Sequence, residues 1–393
     1  MPYKVTLKKH EEKRILDGHP WVFANETLSV EPLGESKNGE LADVYAHDGR
    51  FLGRGYINHL SKILVRIFVH DKQTVPDTAF FAERIASANS YRLRLGCGDS
   101  YRAVFAEADD LPGLIVDKYG DLLSIQLLTL GAELHREEII KALVSVFSPR
   151  GIYERSDVEV RKKEGLELRT GPVFGEFEPR TVIEENGIKL IADLENGQKT
   201  GYFLDQRENR LAMRRYCRGG DVLDCFCNAG GFALNAAAGG ARSVIAADIS
   251  AKALADVSEA VRLNGFEKIV KTECCDVFEY LRECRREGKT FDTIILDPPA
   301  FCKSASEVQS AIRGYRDINI QGLKLVRSGG FLISSSCTHF VTAQMFEKML
   351  KEAAAASGRR VSVAEIRTQA PDHPAYFGAD ETTYLKFYVL HVI

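Results

Sequence analysis

Long apolar runs are missing from this 393-residue chain: 45% of its residues are hydrophobic, yet no stretch approaches the length of a membrane span. The N-terminus, MPYKVTLKKHEEKR, has no apolar core of the kind a secretory signal needs. Both absences predict a cytoplasmic protein that avoids membranes. The nine cysteines are odd in number and irregularly spaced, which argues against a disulfide framework. No CxxC pair occurs, so neither structural zinc nor another metal is expected. Cys225 and Cys227 flank Phe226 and are expected on one strand face as small apolar groups. A net charge of -3 argues against coating nucleic acid by overall charge, so any such contact must come from a local patch. Internal repeats and low-complexity tracts are absent too.

The ordinary globular composition, with 27% charged residues, suits two or three domains. Residues 1–75 read as small and β-rich, with a short helix at Lys9–Leu16 and an Asp48-Gly49 turn between Leu41–Tyr45 and Phe51–Ile57. Residues 76–185 mix strands and helices into a middle α+β domain, strand-strand-helix-strand-strand. There Glu133–Phe147 reads as one amphipathic helix, and 156–181 as a charged, Gly/Pro-punctuated mobile loop. An Asn186-Gly187 turn marks a hairpin. Through 186–393 strands alternate with helices, the pattern of parallel βαβ units and a doubly wound, Rossmann-like sheet whose ligands gather at the carboxyl ends of its strands.

DVLDCFCNAGGFALNAAAGGARSVIAADIS carries the strongest signal. A strand ends near Asp224, Phe226 and the small residues Asn228, Gly230 and Gly231 form a turn, and a helix opens at Phe232. The next strand ends in Asp248-Ile249, whose acid suits ribose hydroxyls. The spacing is not GxGxxG, so an adenosine bearing an amino acid fits better than a pyrophosphate. Asp276, followed by Val277, can accept from the adenine amine. Each acid singly could merely cap the following helix. Acids at four successive strand ends, with Asp297 the last, point to a cofactor.

Asp297-Pro298-Pro299 makes a stiff exit lacking proline N–H donors, suited to accepting an exocyclic amine while Phe301 stacks on a flipped base. A tight strand exit is the bland alternative. The motif alone suggests methylation at nitrogen, but the following strand ends Ser336-Cys337-Thr338. A thiolate there can add to carbon 6 of cytosine and make carbon 5 nucleophilic, provided a thiol whose ordinary pKa is about 8.5 is partly ionised. A small buried cysteine is the alternative. Cys302, on what reads as an exposed loop, is the lesser thiol candidate. Lys199, Arg207, Arg210, Arg214, Arg215 and Arg218 form a basic run for RNA phosphates or, equally, a solvated helix face.

At these residues the chain resembles the RlmI-like bacterial large-subunit rRNA (cytosine-C5) methyltransferases. The resemblance spans nearly the whole length through LGRGYIN (52–58), EADDLPGLIVDKYGD (107–121), GQKTGYFLDQRENR (197–210), CFCNAGGFAL (225–234), FDTIILDPPAF (291–301), YRDIN (315–319), SCTHF (336–340) and Tyr384-Leu385-Lys386. It implies S-adenosylmethionine (SAM) as cofactor, an N-terminal PUA domain and Cys337 as nucleophile. It also implies Asp297 on the target base, and Lys199–Arg207 beside the cofactor with Phe203 and Asp205 holding it. Ala300 and Cys302 depart from the family pattern and leave the target open. RNA guanine-N2 methylation and a non-catalytic ribosome-assembly role are the competing readings. RNA, free or within a ribosomal particle, is the expected partner, and a homodimer is compatible with the sequence.

Overall fold

In the computed structural model, which describes residues 3–302 and 304–393, strands and helices assemble into two compact units. The first takes the chain up to Thr181 together with Asp193–Leu204 and Pro371–Thr382. Its N-terminal sheet runs in the order Trp21–Phe23, Ile63–Val69, Phe51–Ile57, Leu41–Tyr45, Tyr3–Leu7, Thr27–Glu31. Only Tyr3–Leu7 and Leu41–Tyr45 pair in parallel, and the period-two alternation of Tyr3–Leu7 sends Val5 and Leu7 into a core with Val22, Val44, Ile57 and Val65. The Lys9–Leu16 helix is shorter than its pattern, Glu12–Leu16, and the Asp48-Gly49 turn lies where expected, with Gly49 at φ 87°.

A second sheet in this unit orders Arg169–Phe174, Gly151–Ser156, Leu122–Leu127, Leu114–Tyr119 and Ser100–Phe105. Helices Thr78–Arg94 and Arg136–Phe147 pack Phe81, Ile85, Ile139 and Leu143 against its Val104, Val116 and Ile125. Two expectations change here. The single helix at Glu133–Phe147 is two, Leu130–Leu134 and Arg136–Phe147, parted at His135. The loop expected at 156–181 contains helix Val160–Lys163 and strand Arg169–Phe174, the latter paired antiparallel with Gly151–Ser156. Arg161 organises it from within: fully buried, it donates to the Glu133 carboxylate at 2.9 Å and to the Glu167 carbonyl at 2.7 Å. Charge density in sequence reads as solvent exposure, whereas here the charge is satisfied inside.

The second unit comprises Val182–Ala192, Asp205–Ala370 and Thr383–Ile393. Numbered within this unit, the strands of its seven-stranded sheet are β1 (Asp221–Cys225), β2 (Ser243–Asp248), β3 (Val270–Cys274), β4 (Phe291–Leu296), β5 (Val326–Ser336), β6 (Val361–Arg367) and β7 (Lys386–Val392). They lie in the order 3-2-1-4-5-7-6. β1 to β5 are parallel and β7 is antiparallel to both β5 and β6. The helices are α1 (Arg207–Cys217), α2 (Gly231–Ala238), α3 (Ala251–Asn264), α4 (Val277–Arg286), α5 (Val308–Leu325) and α6 (Ala343–Ser357). Apolar stripes of α4, α5 and α6 (Leu281, Ile318, Phe346) bury against Leu223, Ile294 and Leu332 of the sheet. Winding reverses between β1 and β4, which opens a crevice at their carboxyl ends. Among the described residues no helix is long and apolar enough to cross a membrane.

The basic run changes its meaning once folded. Arg210 is 2% exposed and makes a bidentate pair with Glu185, 2.6 Å on each arm. Arg214 donates to the Asn235 side chain at 2.9 Å and the Asn186 carbonyl at 2.8 Å, tying α1 to α2 and to the Asn186-Gly187 turn, whose residues take φ 54° and 75°. Arg207 is buried beside Glu208, and exposed Arg215 pairs with Glu365 at 2.5 Å. Buried Arg210 is thereby taken up by Glu185 instead of facing RNA phosphates as expected, while half-buried Arg214 gives two of its donors to this chain's own groups.

Because the Arg210–Glu185 pair is buried, deleting one partner strands the other charge. Glu185→Ala should lower stability by about 3–5 kcal/mol, read as a drop in the urea midpoint. The double replacement Arg210→Met with Glu185→Leu should cost much less, and equal losses for the two would show that the pair has no such role.

Candidate active site

Three acids end adjacent strands. Asp224 lies in β1, Asp248 closes β2 and Asp297 follows β4. Between β1 and α2 the backbone takes left-handed angles at Phe226 (φ 62°), Asn228 (φ 47°) and Gly230 (φ 77°). Two of these residues carry side chains, a strained arrangement that the surroundings must hold. The N–H groups of residues 227–230 are already used. Cys227 donates to the Ala247 carbonyl (3.1 Å), Asn228 to Asp248 Oδ2 (2.9 Å), Ala229 to the Asn228 side chain (2.7 Å) and Gly230 to the Cys227 carbonyl (2.8 Å). A Cβ on Gly230 would come within 2.9 Å of Leu234 and 3.0 Å of Val257, so this glycine lets the turn sit down on α2 and α3.

Asp248 spans two elements, since Oδ1 also accepts from the Ser250 N–H at 2.9 Å, at the start of α3. Beside it Ile249 is 72% exposed, an apolar surface at the crevice that folding alone does not explain. Asp276 caps α4, with Oδ1 accepting from the N–H groups of Phe278 (2.8 Å) and Glu279 (3.2 Å), as its capping alternative foresees. Val277 and Phe232 are core residues: Val277 packs in the α4–α6 cluster, and Phe232 stacks on Phe387 with centroids 6.1 Å apart. Any contact from them to a cofactor would come through backbone.

Asp224 is wholly buried, and neither carboxylate oxygen has a hydrogen-bond partner. Burial, then the nearby charges of Asp297 and Asp248, push its carboxyl well above the ordinary range. The Ala233 N–H opposes this from close by without reaching hydrogen-bond geometry.

Parallel register sets Leu296 beside Ser334, so the next residues along, Asp297 and Ser335, meet. The Ser335 hydroxyl donates to Asp297 Oδ1, and the same oxygen accepts from the Gln206 amide at 3.0 Å. Gln206 is itself held by Asn209 (2.6 Å), which accepts from Arg367 Nε at 3.0 Å. Pro298 is buried while Pro299 and Ala300 are exposed, giving a stiff lip. Phe301, expected to stack on a base, packs against Tyr315 at 4.6 Å in a row with Phe278 and Phe226. Its ring is largely engaged by protein.

Cys337 follows β5 and is half-buried. Both neighbours are anchored: Ser336 donates to the Tyr315 hydroxyl (3.1 Å), and Thr338 bonds the same hydroxyl (2.8 Å). Cys302 is not on an exposed loop as expected but 4% exposed within the α5 core, where burial and then Glu307 push its thiol up. Cys225 and Cys227 are buried as foreseen, although only Cys225 lies in the strand.

The structure thus brings Asp205, Gln206, Asp224, Asp248, Asp297 and Cys337 into one unit. Asp205 accepts from the Tyr384 hydroxyl at 2.7 Å, and Tyr384 stacks on His339 with centroids 5.1 Å apart. Lys199 and Phe203 belong to the first unit, where the ammonium lies 4.4 Å from the ring centroid. Gln206, Ser335, Tyr315, Tyr384 and Lys386 went unassigned from sequence. All but Ser335 lie within the quoted motifs, the one available signal, because their roles arise from contacts between distant segments.

Comparison with known proteins accords with this geometry. A family model described as S-adenosylmethionine-dependent methyltransferase matches residues 172–387, and one described as PUA-like domain matches residues 5–70. The ribosomal RNA large subunit methyltransferase I of Cronobacter sakazakii is 42% identical over 399 residues, covering 100% of both chains. That of Escherichia coli K12 is 41% identical with the same coverage. Among solved structures, a SAM-dependent methyltransferase from Streptococcus mutans covers 100% of both chains with a TM-score of 0.84 at 22% identity, a likeness of fold. A PUA-like domain joined to this catalytic sheet, with full-length identity to those relatives, makes the chain a SAM-dependent methyltransferase of the ribosomal RNA large subunit methyltransferase I family.

Proposed function

We propose that this chain methylates carbon 5 of a cytosine in large-subunit ribosomal RNA in the cytoplasm, with Cys337 as nucleophile and Asp297 orienting the base. The relatives' name supplies the RNA. The observation that carries the chemistry is the half-exposed thiol of Cys337 at a strand exit whose neighbour holds a doubly hydrogen-bonded Asp297. An enzyme methylating an exocyclic nitrogen needs no such thiol. The Cys337 thiolate adds to carbon 6, and the electron pair of the 5,6 double bond moves to carbon 5, which takes up the methyl group. Loss of the carbon-5 proton to solvent then restores the double bond as the carbon–sulfur bond breaks, and the thiolate returns. Asp297, oriented by Gln206 and Ser335, accepts from the cytosine amine.

The residues present fit SAM. Residues 227–230 of the turn spend their N–H groups within the chain rather than on a pyrophosphate, the Asp248 carboxylate suits ribose hydroxyls, and Ile249 offers an apolar face to adenine. Asp224, Asp248 and Asp297 repel one another, and Asp224 lacks a partner. When bound, SAM supplies an electrophilic methyl group on a sulfonium, and its sulfonium and α-ammonium bring positive charge toward these acids.

Two outcomes follow from this arrangement. Cys337→Ser should abolish methyl transfer, and 5-fluorocytosine-containing RNA should trap a covalent adduct on the wild-type protein, read as a shifted band. Full activity in Cys337→Ser would end the reading, and methylated guanine without an adduct would replace it with nitrogen chemistry. The second concerns Asp224. Its carboxyl holds a proton above the ordinary range, and a cationic ligand favours its ionised form, so SAM binding should release protons and tighten as pH rises through that interval. Calorimetry in two buffers of different ionisation enthalpy should detect the release, and Asp224→Asn should remove it; proton-neutral binding by the wild type would contradict the charge assignment.

A further inference from the structure

Lys386 opens β7 directly opposite Ser336, the residue before Cys337. Its side chain is 7% exposed, and Nζ donates to the Thr338 and Tyr384 carbonyls, each at 2.7 Å. An ammonium carries three donors, so one N–H is left after both carbonyls are served. Among the described residues no carboxylate pairs with it, which is unusual because a buried cation normally finds an anion or loses its proton. Burial lowers this ammonium to about 8 even though the neighbouring thiols of Cys337 and Cys302 favour its charged form. Cys302 is buried and held neutral by burial and by Glu307. Cys337 is the more open of the two.

We propose that Lys386 is a positioning residue that holds Cys337 as its thiolate, by presenting a buried ammonium tethered to the backbone on both sides of the strand exit. The inference rests on Cys337 being the nucleophile and supplies what that role requires. On ionisation the sulfur keeps the S–H electron pair, the proton leaves to solvent through the open side of Cys337, and the ammonium keeps its own three protons. Two carbonyls fix the ammonium in place, so its field is preorganised rather than assembled at the moment of attack. Other titratable groups border the pair. Tyr315 from α5 meets the Cys337 segment and has its phenol raised by burial, Glu307 faces Cys302, and His339 stacks on Tyr384, which binds Asp205. The pair titrates as a unit, and the contribution of Lys386 is present while the ammonium is charged and fades as pH rises through about 8.

The test is the pH profile of Cys337 alkylation by iodoacetamide in the full-length protein, followed by mass spectrometry of the peptide bearing that residue. In the wild type the midpoint should lie below the ordinary thiol value of about 8.5. Lys386→Met should raise it by at least one unit, about tenfold less thiolate at neutral pH, and Lys386→Arg should restore it. A wild-type midpoint at or above the ordinary value, or an unmoved midpoint in a Lys386→Met protein that still binds SAM, overturns the proposal. If the Met variant does not fold, the wild-type midpoint and the Arg variant decide. No RNA enters the measurement, so the two ideas fail separately. Activity surviving in Cys337→Ser defeats the nucleophile while leaving the pair, and a trapped adduct with Lys386-independent alkylation defeats only the pair.

Discussion

The parallel register of β4 and β5 is the constraint on which the site depends. It sets Leu296 against Ser334, so the first residue beyond β4 meets Ser335, and one carboxylate oxygen of Asp297 receives both the Ser335 hydroxyl and the Gln206 amide. Two residues further on, Cys337 emerges between Ser336 and Thr338, both tied to the Tyr315 hydroxyl. A one-residue slip would turn every side chain of β5 to the opposite face and separate these groups. Sheet geometry, rather than a flexible loop, therefore sets where the acid and the thiol stand.

Two desolvated ionisable groups flank this frame, and among the described residues neither forms an ion pair. Asp224 is buried without a hydrogen-bond partner, and Lys386 is buried with only backbone carbonyls. Each costs stability in the resting protein. Each also has a counterpart in the proposed chemistry, a cationic cofactor for the acid and a thiolate for the ammonium. Perturbed groups of opposite sign gathered at strand ends are what a catalytic crevice requires.

The basic residues of α1 show the reverse economy. Arg210 and Arg214 look like an RNA-binding face when counted along the chain, yet they bind Glu185, Asn235 and Asn186 and hold the Asn186-Gly187 hairpin to the unit. Phe301 likewise belongs to an aromatic row with Tyr315. A local excess of arginine or a lone aromatic indicates capacity for a contact, and packing decides which partner takes it.

The βαβ rhythm after residue 186, the Asn-Gly hairpin, the Gly-rich turn and the Asp-Pro-Pro and Ser-Cys exits were all legible in the sequence, because periodicity and turn chemistry act over a few residues and leave local marks. Less legible were strand Arg169–Phe174, whose pairing with Gly151–Ser156 is non-local, and the break at His135. The sequence alone determined which chemical groups were available: two candidate thiols, four strand-end acids and a Gly-rich turn without the GxGxxG spacing. Only the tertiary structure decided which of them act together. It buried Cys302 and left Cys337 half-exposed, spent Arg210 on Glu185, and placed Lys386 near a thiol 49 positions earlier in the chain. The physical reason is that burial and hydrogen bonding between distant strands set the charge state of each group, and neither is written in any local stretch of residues.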